Sequence, residues 1–366
     1  MGYYEIGNYK TYETNVLLNF KRYEMNYLKF DKKEYLTFCA AAECDNRLYI
    51  SDPNNRGLIE YNLNSKETKI KNIFMAENDR NNYCSAFLYN DEIWFLPVRD
   101  NQKIAIYDIS NNNIEYMAIP RSEHKCEYLP FWDSYIVGDK VYLTPAYYDC
   151  LLSIDLISKE IERIDIGIYS YSGDIHATYK SSCLERNKIY FCPFNNTEVK
   201  CYDVSDNTIE NIPVQVSSGT YTDIYVKEGM LYLMPQKLTD GILKYNLLDE
   251  SQQVIRVDDN YEDSTHYECS FIINNCIYGL PYNGNTMYIF DCLDNKIEIR
   301  KIDDDSGSLF SYYSAQEISG DRLLVTSNNG KTPCLIWGKD NVEIIDVKLP
   351  DDFFIKELLM ELEERR

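Results

Sequence analysis

The sequence predicts an all-β chain of seven consecutive four-stranded units, and three observations predict it. A motif of the form apolar, aromatic, apolar, any residue, proline recurs as Ile93 to Pro97, Val141 to Pro145, Ile189 to Pro193, Leu231 to Pro235 and Ile277 to Pro281, with looser copies around Tyr49 and Leu324. Its second position falls at 49, 94, 142, 190, 232, 278 and 324, spacings of 42 to 48 residues. An aromatic residue stands eleven positions before each of these, at Phe38, Tyr83, Phe131, Tyr179, Tyr221, Tyr267 and Tyr313. Twelve or thirteen positions after them comes an apolar residue followed in most units by Asp or Asn, as in Tyr61-Asn62, Tyr107-Asp108, Ile154-Asp155, Tyr202-Asp203, Tyr245-Asn246 and Phe290-Asp291, and more loosely Trp337-Gly338.

Each mark corresponds to one element. The first aromatic opens strand A, which ends at turn pairs such as Asn90-Asp91, Gly138-Asp139 and Asn274-Asn275. The proline motif is strand B, rich in β-branched and aromatic residues. The third mark closes strand C, and a polar turn leads to an alternating strand D such as Ile114 to Met117, Ile161 to Ile164 or Ile297 to Ile299. Four strands in a period of this length form a blade of a β-propeller, whose radial closure protects its edges. Residues three after the first aromatic are small at Ala41, Ala86, Ser134, Ser182 and Ser270, as a narrow central channel demands, with Ile224 and Gln316 as exceptions.

The resulting division is an N-terminal segment 1–34, a propeller 35–349 and a C-terminal segment 350–366. Within the first, Val16 to Phe20 and Met25 to Leu28 mimic strands C and D, which leaves an incomplete eighth blade open, although repeat seven has its own strand D at Val342 to Val347. The last carries Phe354, Ile355, Leu358, Leu359 and Leu362 at helical spacing behind Pro350-Asp351-Asp352 and reads as an amphipathic helix on the outer rim.

From about residue 35 to 347 the chain resembles the Kelch-type and related propeller repeat families. It departs from Kelch repeats in carrying proline after strand B where they have paired glycines, and it lacks the Gly-His and Trp-Asp marks of WD repeats and the sialidase Asp-box. The resemblance implies an architecture and no family-specific activity.

Composition narrows the function. With 366 residues, 45% hydrophobic, the chain buries a large core, and its 59 acidic against 37 basic residues give a net charge of -22 that opposes nucleic acids and anionic membranes. Twelve cysteines without a CxxC pair read as reduced, buried residues of a cytoplasmic protein. No signal peptide, membrane span or myristoylation motif is visible. Gly330-Lys331-Thr332 lacks the first glycine of a phosphate loop and reads as a turn, Asp303 to Gly307 as a solvated acidic loop, and Asn195-Asn196-Thr197 as a sequon that matters only in a secreted protein.

Strand order places the D–A and B–C loops on one face of the ring and the A–B and C–D turns on the other. The first set is long and acidic and carries loop tyrosines, so it is the expected ligand face, with Tyr147, Tyr148, Asp174, His176, Asn196, Asp263, His266 and Tyr282 as its candidate binding residues. The expected function is a monomeric recognition or scaffold module for a protein, peptide or glycan, without cofactor or metal and without catalytic residues to assign. The alternative is a metal-dependent lyase or hydrolase at the channel mouth, using His124, His176 or His266 with nearby carboxylates. Because these histidines sit seven, three and one residues from their repeat aromatics, they occupy no equivalent position in the blades.

Overall fold

A computed structural model describes residues 17–19, 28–30, 38, 40–51, 57–74, 83–98, 103–122, 130–168, 179–194, 197–217, 219–257, 264–304, 309–318, 321–327, 332–338 and 341–347. It is a seven-bladed propeller. Each blade is an antiparallel sheet in the order A-B-C-D. The innermost strands A are Ala41–Cys44, Tyr83–Tyr89, Phe131–Val137, Tyr179–Glu185, Tyr221–Lys227, His266–Ile273 and Tyr312–Ile318. The expected C-terminal helix lies outside the described residues.

The three marks do three jobs. The strand-B aromatic packs between blades, as in the contacts of Tyr49 with Tyr107, Tyr142 with Tyr202 and Tyr232 with Phe290, and the first aromatic of blade two packs on Phe74 from the end of blade one. The Asp or Asn of the third mark makes an Asx turn. Asp108 Oδ1 accepts from the Ser110 and Asn111 amides, Asp155 from Ile157 and Ser158, and Asp291 from Leu293 and Asp294. Four residues further on, Lys66, Asn112, Lys159, Asn207, Glu250 and Asn295 all have positive φ, which turns the chain back into strand D. In two blades the Tyr of the mark donates its hydroxyl to that residue, Tyr107 to Asn112 and Tyr202 to Asn207.

One expectation is corrected and one open alternative is decided. Blade seven is framed by Tyr312 and not Tyr313: Tyr312 pairs with Ser327 as Tyr83 pairs with Pro97, and it is fully buried. The cause is a longer A–B connection, residues 319–321, where other blades turn in two residues. In this frame the small inner position of blade seven is Ala315, so Gln316 is no exception. Among the described residues, the N-terminal segment joins existing sheets and forms no eighth one. Leu17–Asn19 adds an antiparallel fifth strand to blade seven, beside Asn341–Ile345, and Leu28–Phe30 runs parallel to the end of Lys296–Asp304 in blade six.

The ring closes by side-chain contacts between blades seven and one. Gln316 Nε2 donates to the Ala41 carbonyl, Lys66 pairs with Glu343, and Leu324, Cys334 and Ile336 pack with Phe38, Leu48 and Ile59.

Candidate functional site

A β-bulge follows the first aromatic of strand A in blades two to seven. Bulges re-aim the extra residue, and here that position holds Trp132, Lys180 and Glu268, all of which line a cavity of about 730 Å³ in the central channel. Lys180 Nζ lies 3.3 Å from Glu268 Oε2, 4.7 Å from the Trp132 ring centre and 5.4 Å from that of Phe194. Trp132 is held by its indole N–H, which donates to the Tyr179 carbonyl at 2.8 Å.

One residue deeper stand two carboxylates in matching surroundings. Asp133 Oδ2 accepts from the Ser182 amide at 2.9 Å and its hydroxyl at 2.8 Å, while the Tyr135 hydroxyl donates to the Ser182 carbonyl at 2.6 Å. Asp223 Oδ2 accepts from the Ser270 hydroxyl at 2.6 Å and from Tyr225 at 3.0 Å, and its Oδ1 accepts from Ser181 at 2.7 Å. The arrangement Asp-x-Tyr in one blade with Ser in the next thus occurs twice, joining blade three to four and five to six.

Enclosure governs the charge states. Burial pushes the Asp133 carboxyl up to about 7, the Ser182 hydroxyl opposing and the Asp223 carboxylate adding to the rise. Burial also raises Asp223, against hydrogen bonds from Ser270, Ser181 and Tyr225. The thiols of Cys183, Cys192 and Cys269 are likewise raised far above the ordinary range by burial, which makes them poor nucleophiles and poor metal ligands as they stand.

The residues expected to form the ligand face divide three ways. Asp174, His176, Asn196 and Asp263 lie outside the described residues. Tyr147 is half-buried in the B–C loop of blade three. Tyr148, expected to stack on a ligand, is 1% exposed: its ring packs on Phe131, its hydroxyl donates to the Pro120 carbonyl, and Arg163, paired with Asp149 at 2.8 Å, covers it. It fastens the B–C loop to the preceding blade. His266 and Tyr282 are half-buried strand residues and not loop residues, because strands A and B of blade six extend until His266 faces Asn283. Gly284 permits the tight turn that follows, since a Cβ there would meet Thr265 Oγ1 at 2.3 Å.

His266 is the only one of the three histidines among the described residues, and within those residues no three His, Cys, Asp or Glu side chains converge on a metal position. The channel residues Trp132, Asp133, Lys180, Asp223 and Glu268 were not foreseen. Their signal was polar or bulky residues one and two places after the first aromatic, in strands that otherwise tend to the small and apolar.

The geometry defines the class, a seven-bladed propeller with a polar central channel. Neither a protein-family model nor a curated protein matches the chain in sequence. Among solved structures it is similar to virginiamycin B lyase from Staphylococcus aureus, with a TM-score of 0.61 and 12% identity over 90% of this chain and 99% of that one. It is also similar to BamB from Moraxella catarrhalis, with a TM-score of 0.57 and 12% identity over 82% of this chain and 85% of that one. These likenesses are of fold.

Proposed function

We propose that the protein is a recognition module that binds a protein, peptide or glycan on the rim formed by the D–A and B–C connections. The observation that carries this is the asymmetry of the two rims. On one, the turns repeat from blade to blade with the same Asx and positive-φ geometry. On the other, the connections differ in length and content: residues 119–130 and 165–178 join D to A beside the shorter 213–220, a 3-10 turn at Leu238–Asp240 sits in one B–C loop, and blade six replaces its loop with a tight turn. A scaffold that holds its strands constant while varying one set of loops is built for recognition.

Tyr147, His266 and Tyr282 are half-buried on this rim, and the acidic composition of the D–A connections in the sequence favours a cationic or sugar-bearing surface. The test is a partner identified by cross-linking mass spectrometry, then bound by Tyr147→Ala, His266→Ala and Tyr282→Ala variants. Weaker binding at an unchanged melting temperature is expected. Unchanged binding, with loss instead on substituting the Asn90-Asp91 turn, would move the site to the opposite rim.

A further inference from the structure

We propose that the central channel is itself a binding site, independent of the loop rim, for a linear aliphatic polyamine threaded along the propeller axis. The cavity of about 730 Å³ is the size of a small-molecule pocket. Charged side chains line it in tiers. Lys180 and Glu268 stand one residue after the strand-A aromatic, Asp133 and Asp223 two residues after, and Glu43 and Glu317 five residues after, all facing the same cavity. The last two tiers are three residues apart, about 10 Å along a strand.

Five carboxylates thus share the cavity with one lysine, and Glu268 already uses it. Both hydrogen bonds that Asp133 accepts go to Oδ2, which leaves Oδ1 for the cavity. Lys180 shows how the site treats an ammonium group, setting it against a carboxylate and over the faces of Trp132 and Phe194. A single metal ion fits poorly, because Ca²⁺ needs several oxygens around one point and no three acidic side chains among the described residues converge in this way. Carboxylates spread along an axis suit a cation whose charges are spread along a chain.

Binding should also move protons. Asp133 is faced by Tyr135 from its own strand, by Ser182 and Cys183 from blade four and by Asp223 from blade five, and it shares the cavity with Lys180 of blade four and Glu268 of blade six. An ammonium placed beside it favours the carboxylate form, so a proton held at neutral pH is released.

The experiment is isothermal titration of the full chain with spermidine at pH 7, in two buffers of different ionisation enthalpy. Saturable binding near one equivalent with proton release is expected, tighter than for putrescine, which is too short to reach both tiers. Asp133→Asn should weaken it by about tenfold or more, as loss of a buried charge pair does. Glu160→Gln, the same change at an exposed site, should leave it unaltered. Three results would overturn the proposal: no saturable binding, equal weakening by Glu160→Gln, which would mean general attraction to a chain of net charge -22, or preference for Ca²⁺. If Asp133→Asn does not fold, the buffer dependence of the unaltered protein decides, and binding without proton release counts against the site.

Discussion

The Lys180 ammonium and the Glu268 carboxylate meet at 3.3 Å although they belong to blades four and six. The pair therefore reaches past blade five across the channel, and both side chains are largely enclosed, at 13% and 19% exposure. It couples two blades that are not adjacent in the ring.

Removing one partner leaves the other charge enclosed. Lys180→Met keeps the contact with Trp132 and strands Glu268, so a loss of about 2–4 kcal/mol is expected, the lower part of the range reflecting residual solvent. Lys180→Met/Glu268→Met should recover most of it, because two apolar side chains replace two desolvated charges. Urea unfolding of the single and double variants measures this as a coupling energy. Additive losses would show that the pair contributes nothing as a pair.

Stability should fall as pH rises through the weakly acidic range, in the part that Asp133 controls. Its folded carboxyl titrates at about 7, above the unfolded value of about 3.9. Between these the folded chain holds a proton that the unfolded chain has lost, and unfolding free energy drops by about 1.4 kcal/mol per pH unit at most. The turn carboxylates Asp108, Asp155, Asp203 and Asp249 act oppositely, being lowered mainly by side-chain and amide hydrogen bonds in their Asx turns, and their contribution is lost below pH 4. Comparing the chain with Asp133→Asn from pH 4.5 to 8 cancels those terms. The stability difference should shift in favour of the Asn variant as pH rises, and a difference independent of pH would refute the assignment.

The two Asp-Ser junctions should behave as independent copies. Ser182→Ala removes a hydroxyl donor from Asp133, and Ser270→Ala removes one from Asp223. Each should cost about 1–3 kcal/mol, the range for a buried polar group that loses its partner. Ser270→Ala should be the milder, because Tyr225, Ser181 and the Ile224 amide still donate to Asp223, whereas Asp133 keeps the Ser182 amide alone. Thermal unfolding of the two singles and the double would show near-additivity if the copies are separate.

The repeat was legible because each mark answers a local need that recurs in every blade. An Asp that must cap its own turn, as Asp108 does for Ser110, leaves a signal within three residues. The channel was not legible for the opposite reason. Asp133 and Ser182 are 49 positions apart and meet only because neighbouring blades abut, and no local pattern announces that pairing. The misplacement at Tyr313 came from a fixed spacing applied across a turn that is longer in blade seven. Tyr148 was misread because its loop follows strand B as the other B–C loops do. Phe131 of strand A, Arg163 of strand D and Pro120 of the D–A connection make that loop part of the core.

One cross-strand position offers a test with its controls inside the molecule. The residue after the strand-B aromatic faces a strand-C residue, and the pairs are Leu143 with Leu152, Leu233 with Leu243 and Val325 with Leu335. Blade two pairs Phe95 with Ala105, and blade six pairs Gly279 with Tyr288. Large residues face small ones in blades two and six and medium residues face each other in blades one, three, five and seven, while blade four departs from this with Phe191 facing Lys200, whose ammonium donates to the Ile166 carbonyl. In blade six a Cβ on Gly279 would lie 2.0 Å from Tyr288 Cε1, so the ring fills the space of the missing side chain. Gly279→Leu alone should overpack the blade and cost about 3 kcal/mol or more. Tyr288→Leu alone should leave a cavity and cost about 2–4 kcal/mol by analogy with other large-to-small core changes. Gly279→Leu/Tyr288→Leu recreates the pair of blades three and five and should lie closer to the unaltered chain than either single variant, as read by urea midpoints at constant m-value. A double variant as unstable as the two losses combined would show that the blades are not interchangeable at this layer, and that Gly279 answers a constraint other than the ring of Tyr288.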